Sequence, residues 1–327
     1  MIAASDLLQL PYTRDLTEGG IAYALRSLPY NFNRASGSPY ERLRRVVAGA
    51  AVELAFRRYL SEQSIPFEVK RALPFTEGAR YDVTLAGRRC EIKSFLIQQR
   101  DQVTEIRRNP QVLLKAPALV ASDQHAGDGH SHHDLYLFAF LPGLVTISQE
   151  DLQTMVNAEN PCSLIHIMPE AWNRPSTRSP LGKLVLKSEC EENITVELGG
   201  QDARREIFSC TVELPPRARV EVQNDFFCLS YVRVHSTPKA RIAIHSPGYR
   251  QTHTIGVLDW SNLWVYGTEV YLTGYITREE FSRRARFVPA GSHVFQYHHT
   301  QVKNLAVPVS ELRPLSELFE KTVLRKR

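Results

Sequence analysis

The sequence is poor in cysteine, and its five scattered cysteines include no CxxC pair. This pattern does not suit a disulfide framework or a zinc knuckle, and it is typical of a chain that folds under reducing conditions. No long window is apolar and free of charge, so no membrane span is predicted. The first residues lack a basic segment followed by an apolar one, so we expect no secretory signal. These absences together predict a cytoplasmic location.

Several nucleotide-binding and hydrolase motifs are also missing. There is no Walker A sequence, no G-x-G-x-x-G and no G-x-S-x-G, which argues against nucleotide-driven motion and against a serine-hydrolase nucleophile elbow. What remains is a chain of 327 residues, 43% hydrophobic and 23% charged. That composition predicts a globular protein with one large domain or two of ordinary size.

The positive charge is unevenly distributed along the chain. Residues 145–262 carry 12 Lys and Arg against 14 Asp and Glu, whereas the rest carries 28 against 21. The two outer stretches are therefore basic, and the middle is slightly acidic. A basic surface favours a polyanionic partner such as nucleic acid.

The outer stretches read as a mixture of helices and strands. Turn-forming residues interrupt any long periodicity in the first forty positions. Apolar residues at helical spacing then predict a long helix. This helix is predicted at 40–63. The segments that follow it are strands at 66–73, 81–86 and 89–97, a partly helical stretch at 98–115, a loop at 121–133 and a strand at 134–141.

The middle of the chain has a different pattern, which begins after Pro142-Gly143. Short alternating stretches over residues 181–255 predict an antiparallel β-sandwich or barrel. Residues 269–276 then return to a near-continuous apolar strand, and Thr277 is suited to cap the helix that follows. We therefore expect the β-rich part to be inserted into an outer domain, with boundaries at 1–143, 144–262 and 263–327. A tandem of two domains is the alternative.

One hairpin brings chemically useful side chains together. If Gly87 and Arg88 form a two-residue type II′ turn, Thr84 faces Glu91 and Asp82 faces Lys93. These four side chains then project from one face of the hairpin, with opposed Cβ atoms about 5 Å apart. An exposed hairpin with cross-strand ion pairs is the plainer interpretation.

The same side chains suit phosphodiester hydrolysis. The carboxylates of Asp82 and Glu91 are hard oxygen ligands for Mg²⁺ or Mn²⁺, and the carbonyl of Ile92 lies between the two key residues of the second strand. Such a metal can polarise a phosphate and orient a water molecule. The ammonium of Lys93 can hold the attacking water.

Asp82 and the Glu91-Ile92-Lys93 triplet resemble the motif of the PD-(D/E)XK, or restriction-endonuclease-like, nuclease superfamily. The resemblance implies an α/β core, with a mixed central sheet flanked by helices, around the inserted antiparallel β-sandwich or barrel. It also implies an acidic residue on the helix before the sheet, a position that Glu53 matches as a fourth catalytic residue and metal ligand. The lysine is not followed by a Q-x-x-x-Y sequence, so the RecB-like branch is not indicated.

The sequence thus predicts an Mg²⁺- or Mn²⁺-dependent endonuclease that acts on nucleic acid, with DNA favoured, in restriction, defence or repair. Two alternatives stay open: a nuclease-like module that binds without cutting, and a β-rich scaffold that recruits a protein partner. Because one such site cuts one strand at a time, double-strand cutting would need either a homodimer or two successive nicks. Four basic residues are candidates for contact with phosphates, namely Arg44, Arg45, Arg283 and Arg284.

Overall fold

The computed structural model describes residues 2–31, 38–69, 83–127, 131–174 and 180–324, with the backbone alone described at 29–31. The helices are α1 (Arg14–Asn31), α2 (Pro39–Glu62), α3 (Arg100–Arg108), α4 (Ser122–Ala126), α5 (Gln149–Asn157), α6 (Glu170–Asn173), α7 (Arg278–Arg284) and α8 (Leu315–Leu324). None of the helices in these described ranges has the length and apolar character needed to cross a membrane.

The strands of the described residues vary from two to eleven residues in length. They are β1 (Leu8–Pro11), β2 (Glu68–Val69), β3 (Val83–Leu85), β4 (Arg88–Ile97), β5 (Pro117–Ala121), β6 (Leu135–Val145), β7 (Leu164–Ile167), β8 (Gly182–Ser188), β9 (Ile194–Gln201), β10 (Ile207–Leu214), β11 (Arg219–Phe226), β12 (Cys228–Val234), β13 (Ile242–Ser246), β14 (Gln251–Ile255), β15 (Ser261–Asn262), β16 (Val265–Gly267), β17 (Glu269–Thr277), β18 (Arg286–Val288) and β19 (Asn304–Pro308).

The chain divides into two compact units. Unit 1 comprises residues 1–20, 45–144 and 265–327, and unit 2 comprises residues 21–44 and 145–264. The division after residue 144 and the one after residue 264 fall within two residues of the expected boundaries of the β-rich part. Unit 2 also takes residues 21–44, which the sequence pattern assigned to the first outer stretch.

A seven-stranded mixed sheet forms the centre of unit 1, in the order β1-β17-β6-β4-β3-β2 with β16 beside β6. Strands β4 and β6 are parallel, whereas β17 is antiparallel to β6. Residues 134–141 and 269–276 therefore contribute neighbouring strands to the sheet that holds Glu91, as the insertion hypothesis requires. Unit 1 also contains a smaller antiparallel sheet, β18-β19-β5.

The central strand β6 is covered on both faces. Its side chains from Leu135 to Leu141 are almost fully buried. On one face Phe138 packs in a cluster with Val103 and Ile106 of α3. On the other face α2 comes close to β4, since a Cβ on Gly49 would lie 3.3 Å from Ser94 Oγ. Burial on both faces explains the unbroken apolar run of β6 in the sequence.

The first helix is a correction to the sequence analysis. Residues 14–31 form an α-helix straight through Gly19 and Gly20, although the turn formers there predicted no long periodic element. The reason is close packing between helices, because a Cβ on Gly20 would lie 2.4 Å from the Val47 carbonyl oxygen of α2. Glycine is therefore retained for the approach of two backbones, despite its cost of about 1 kcal/mol in a helix.

Unit 2 contains two antiparallel sheets that share one apolar core. The five-stranded sheet has the order β10-β9-β12-β7-β15 and the four-stranded sheet the order β11-β8-β13-β14. Leu186 and Ile244 of the second sheet lie in the same buried cluster as Val196 and Val232 of the first. The alternating sequence pattern thus yields two packed antiparallel sheets, which is the sandwich form of the prediction.

Candidate active site

The β3–β4 hairpin has a register that differs by two positions from the expected one. Its Cα partners are Val83 with Cys90, Thr84 with Arg89, and Leu85 with Arg88. The two turn residues are Ala86 and Gly87, and both have positive φ, at 50° and 71°. The expected type II′ turn at Gly87-Arg88, and with it the pairing of Thr84 with Glu91, is therefore wrong.

The type of turn explains the shift. A type I′ turn needs positive φ at both central positions, and its twist matches that of the flanking strands. Gly87 adopts positive φ without strain, so Ala86 is the only turn residue with a side chain that must adopt it. A shift of two residues preserves the alternation of faces, so Glu91 and Lys93 still project from the same side of β4.

Two predicted ligands remain as predictions. Asp82 lies outside the described residues, so its role as a ligand stays a prediction. Ile92 is paired with Leu137 of β6 in parallel register, and the ligand role of its carbonyl oxygen is likewise a prediction.

Glu91 and Lys93 form an ion pair on the exposed part of β4. The Lys93 ammonium donates hydrogen bonds to Glu91 Oε1 and, at 2.8 Å, to Gln124 Oε1 of α4. The side chains of Glu91 and Lys93 are 22% and 11% exposed. Both charges are thus held in fixed positions while the carboxylate stays accessible to solvent, which is the state that a ligand-binding carboxylate requires.

Tyr136 lies beside this pair, since it is the parallel partner of Glu91 on β6. The Lys93 ammonium and the Arg278 guanidinium each lie 5.7 Å from the centroid of the buried Tyr136 ring. Arg278 donates a 2.8 Å hydrogen bond to the Tyr136 hydroxyl and another to the backbone carbonyl of His125. Two cations are therefore gathered around one aromatic ring, on the face that carries Glu91.

The surroundings keep the Tyr136 hydroxyl protonated. Burial raises the pKa of Tyr136, the nearby charge of Glu91 raises it further, and the charge of Arg278 opposes both. His125 completes this network, with Nδ1 at 3.1 Å from the Tyr136 hydroxyl and Nε2 at 2.9 Å from Ser282 Oγ. The network ties α4, β6 and α7 together beside Lys93.

Removing the hydroxyl in Tyr136→Phe should lower the free energy of unfolding by about 1–3 kcal/mol, because a buried guanidinium and an imidazole each lose a partner. Urea unfolding measures the change. Tyr59→Phe, which alters a half-buried tyrosine on α2, is the control and should stay within about 0.5 kcal/mol. Equal effects of the two substitutions would show that the network around Tyr136 contributes nothing.

Glu53 lies on a different side of the site. It is half-buried and pairs with Arg57 one turn later on α2, and its burial raises the pKa of the carboxyl while Arg57 opposes the shift. Helix α2 approaches β4 on the Ser94 side, and strand alternation places Glu91 and Lys93 on the opposite side. The structure thus brings Glu91 and Lys93 together, and a shared role for Glu53 stays a prediction.

The four predicted phosphate contacts differ in their surroundings. Arg44 is buried and donates from Nε to the Asn262 carbonyl oxygen at 2.8 Å, a structural position that does not fit the predicted surface contact. Arg45 lies over the Tyr297 ring. Arg283 and Arg284 are exposed on α7, where Arg284 pairs with Glu311. Arg283 and Arg284 therefore remain open to solvent.

Sequence reasoning did not include Gln124, Tyr136 or Arg278 among the site residues. Gln124 lies in a segment that the sequence predicts to be a loop, so the short helix Ser122–Ala126 is a correction. Tyr136 is a polar-tipped residue within an apolar strand, and Arg278 follows directly after a buried strand. These two features of the sequence could have indicated the site, because a buried charge or hydroxyl needs a partner.

Among the described residues, no three His, Cys, Asp or Glu side chains form a group that could hold a metal ion. Comparison with known proteins found no matching family model, no matching curated protein and no matching solved structure.

Proposed function

We propose that this protein is a metal-dependent endonuclease, which hydrolyses phosphodiester bonds in nucleic acid. The observation that supports this most is the Glu91–Lys93 pair, which lies on one face of a central strand in a mixed sheet and stays partly exposed. A carboxylate and an ammonium in this arrangement offer a hard cation ligand and a positioned donor side by side. Helices α2 and α3 lie on the two faces of that sheet, which suits the restriction-endonuclease-like core that we propose.

The donor set fits Mg²⁺ or Mn²⁺. Carboxylate oxygens from Asp82 and Glu91, with the carbonyl oxygen of Ile92, are all hard ligands of the kind these ions prefer. Glu53 is not counted in this set, because α2 approaches the opposite face of β4. Such an ion would supply Lewis-acid polarisation of the phosphate.

The chain's own residues have separate tasks in this proposal. Glu91 would hold the cation, and Lys93 would orient the attacking water with its ammonium. Gln124 fixes Lys93 through the 2.8 Å hydrogen bond to its amide oxygen. Arg278 has neutral acceptors in Tyr136 and His125, so its positive charge can attract a phosphate to the same face.

The proposed substrate is DNA, which is consistent with the basic outer stretches of the chain. Contacts with phosphates release counterions, so the affinity should fall steeply with salt. We expect a loss of about 10³-fold or more between 50 and 200 mM NaCl for a short duplex with Ca²⁺ present, if roughly six phosphates are contacted. Fluorescence anisotropy of the labelled duplex measures this affinity. An affinity that is independent of salt would contradict a polyanionic partner.

Cleavage of a circular plasmid tests the proposed activity. Relaxed or linear product should form with Mg²⁺ or Mn²⁺ and disappear with EDTA, and Asp82→Ala should show neither product. Retention of binding without cleavage in the wild-type protein would favour the non-cutting module. Absence of both binding and cleavage would favour the third alternative, a β-rich scaffold for a protein partner. Light scattering with and without duplex would show whether a homodimer forms.

A further inference from the structure

Two histidines of unit 2 face each other across its two sheets. His166 lies on β7 of the five-stranded sheet, and His253 lies on β14 at the edge of the four-stranded sheet. Their Nε2 atoms are 2.9 Å apart, and their ring centroids are 5.1 Å apart. Both side chains are half-buried.

The backbone fixes the tautomer of His166. Its Nδ1 lies 3.1 Å from the carbonyl oxygen of Asp259, and a carbonyl oxygen can only accept a hydrogen bond. Nδ1 therefore carries the proton, and the neutral ring presents the lone pair of Nε2 to His253. Histidines that bind metals are commonly oriented in this way, through a hydrogen bond from the second ring nitrogen to a carbonyl.

The charge of Asp259 acts on both histidines, and a negative charge close to the two rings favours an added cation. The Asp259 carboxylate, which accepts a hydrogen bond from the Gly256 amide, supplies negative charge nearby.

From these contacts we propose that His166 and His253 form a binding site for a divalent transition-metal ion, with two imidazole ligands and water in the remaining positions. An ion with metal–nitrogen distances of about 2.0–2.1 Å would replace the contact between the two Nε2 atoms, which are 2.9 Å apart. Imidazole ligands suit Ni²⁺, Cu²⁺ and Zn²⁺. The ion would link the two sheets of unit 2, and the site is independent of the proposed nuclease centre.

The three tryptophans provide a direct probe of this site. Trp172, Trp260 and Trp264 are the only ones in the chain, and all belong to unit 2. The Trp172 ring lies 6.0 Å from His253, and the Trp260 ring lies 6.3 Å from His166. A bound Ni²⁺ ion should therefore quench the intrinsic fluorescence in a saturable way, reversed by EDTA and by excess Zn²⁺ but not by Mg²⁺, which prefers oxygen ligands.

Titration with Ni²⁺ tests the assignment on the full chain. His253→Gln should raise the dissociation constant for quenching at least tenfold. The control is His245→Gln, on the neighbouring strand β13, where Nδ1 lies 3.1 Å from Thr252 Oγ1; it should leave the constant unchanged. The same quenching midpoint in wild type and His253→Gln would overturn the proposal.

A second measurement covers the case in which the histidine variants do not fold. Far-UV circular dichroism of the variants in EDTA shows whether they fold. Electron paramagnetic resonance of the wild-type protein with one equivalent of Cu²⁺ should then show two equatorial imidazole nitrogens. A spectrum with one nitrogen or none would overturn the assignment without any variant.

Discussion

Replacing Glu91 by Gln, or Lys93 by Met, is expected to lower metal-dependent cleavage by roughly 10²–10³-fold or more, the loss typical when a group that stabilises transition-state charge is removed. Glu91→Gln keeps the shape of the side chain but removes the charge that would hold a cation. Lys93→Met keeps the aliphatic stem but removes the ammonium that pairs with Glu91 and Gln124. Initial rates of plasmid nicking, measured over a range of Mn²⁺ concentrations, give the effect.

Both variants should fold, with a loss of about 1–3 kcal/mol in the free energy of unfolding, because the side chains are only 22% and 11% exposed and each substitution leaves one partner unpaired. Far-UV circular dichroism checks the fold. Glu192→Gln and Lys239→Met are matched controls, since these residues form a well-exposed ion pair in unit 2. They should cleave at the wild-type rate. Wild-type activity in Glu91→Gln would remove that residue from the site, whatever the controls show.

Phe138→Ala is expected to reduce the free energy of unfolding of unit 1 by about 3–5 kcal/mol, the cost of a large cavity in a well-packed core. Phe138 is fully buried on the central strand, and its ring stacks 6.2 Å from that of Phe281 on α7. It is also the parallel partner of Lys93. The cavity would therefore open beside Lys93, on the face of the sheet that carries the proposed site.

Urea unfolding followed by circular dichroism measures this change, with the transition of unit 1 analysed separately if two are resolved. Phe287→Ala is the matched control, because Phe287 lies on β18 and is 58% exposed; its effect should stay near 0.5 kcal/mol. Similar midpoints for the two variants would contradict the central position of β6 in the core.

Much of the fold could be predicted because its signals are local. The apolar periodicity of α2 gave its ends to within one residue of Pro39–Glu62. The alternating stretches of the middle correspond to strands in unit 2, and Thr277 accepts a hydrogen bond from the Glu280 amide as the helix cap. The apolar runs of β6 and β17 indicated burial on both faces, which is why their pairing could be expected across a long insertion.

Other features depend on contacts that the local sequence does not contain. Whether a hairpin turns at Ala86-Gly87 or one residue later depends on small differences in backbone energy, so the register was wrong by two positions. Helix α1 tolerates Gly20 only because Val47 of another helix packs against it. Arg278 reaches Tyr136 from more than a hundred positions away in the chain. Tertiary packing decides each of these cases, whereas propensity does not.

The position of the insertion also sets an order of events during biosynthesis. Strand β6 ends at Val145, but its antiparallel neighbour β17 begins only at Glu269. At about 5–20 residues per second, a ribosome needs roughly 6–25 s to translate residues 146–268 between them. Throughout that interval the most apolar strand of the chain has one unpaired edge, which is a template for non-native pairing. We therefore expect this edge of nascent unit 1 to stay open to non-native pairing until residues 269–277 have been translated.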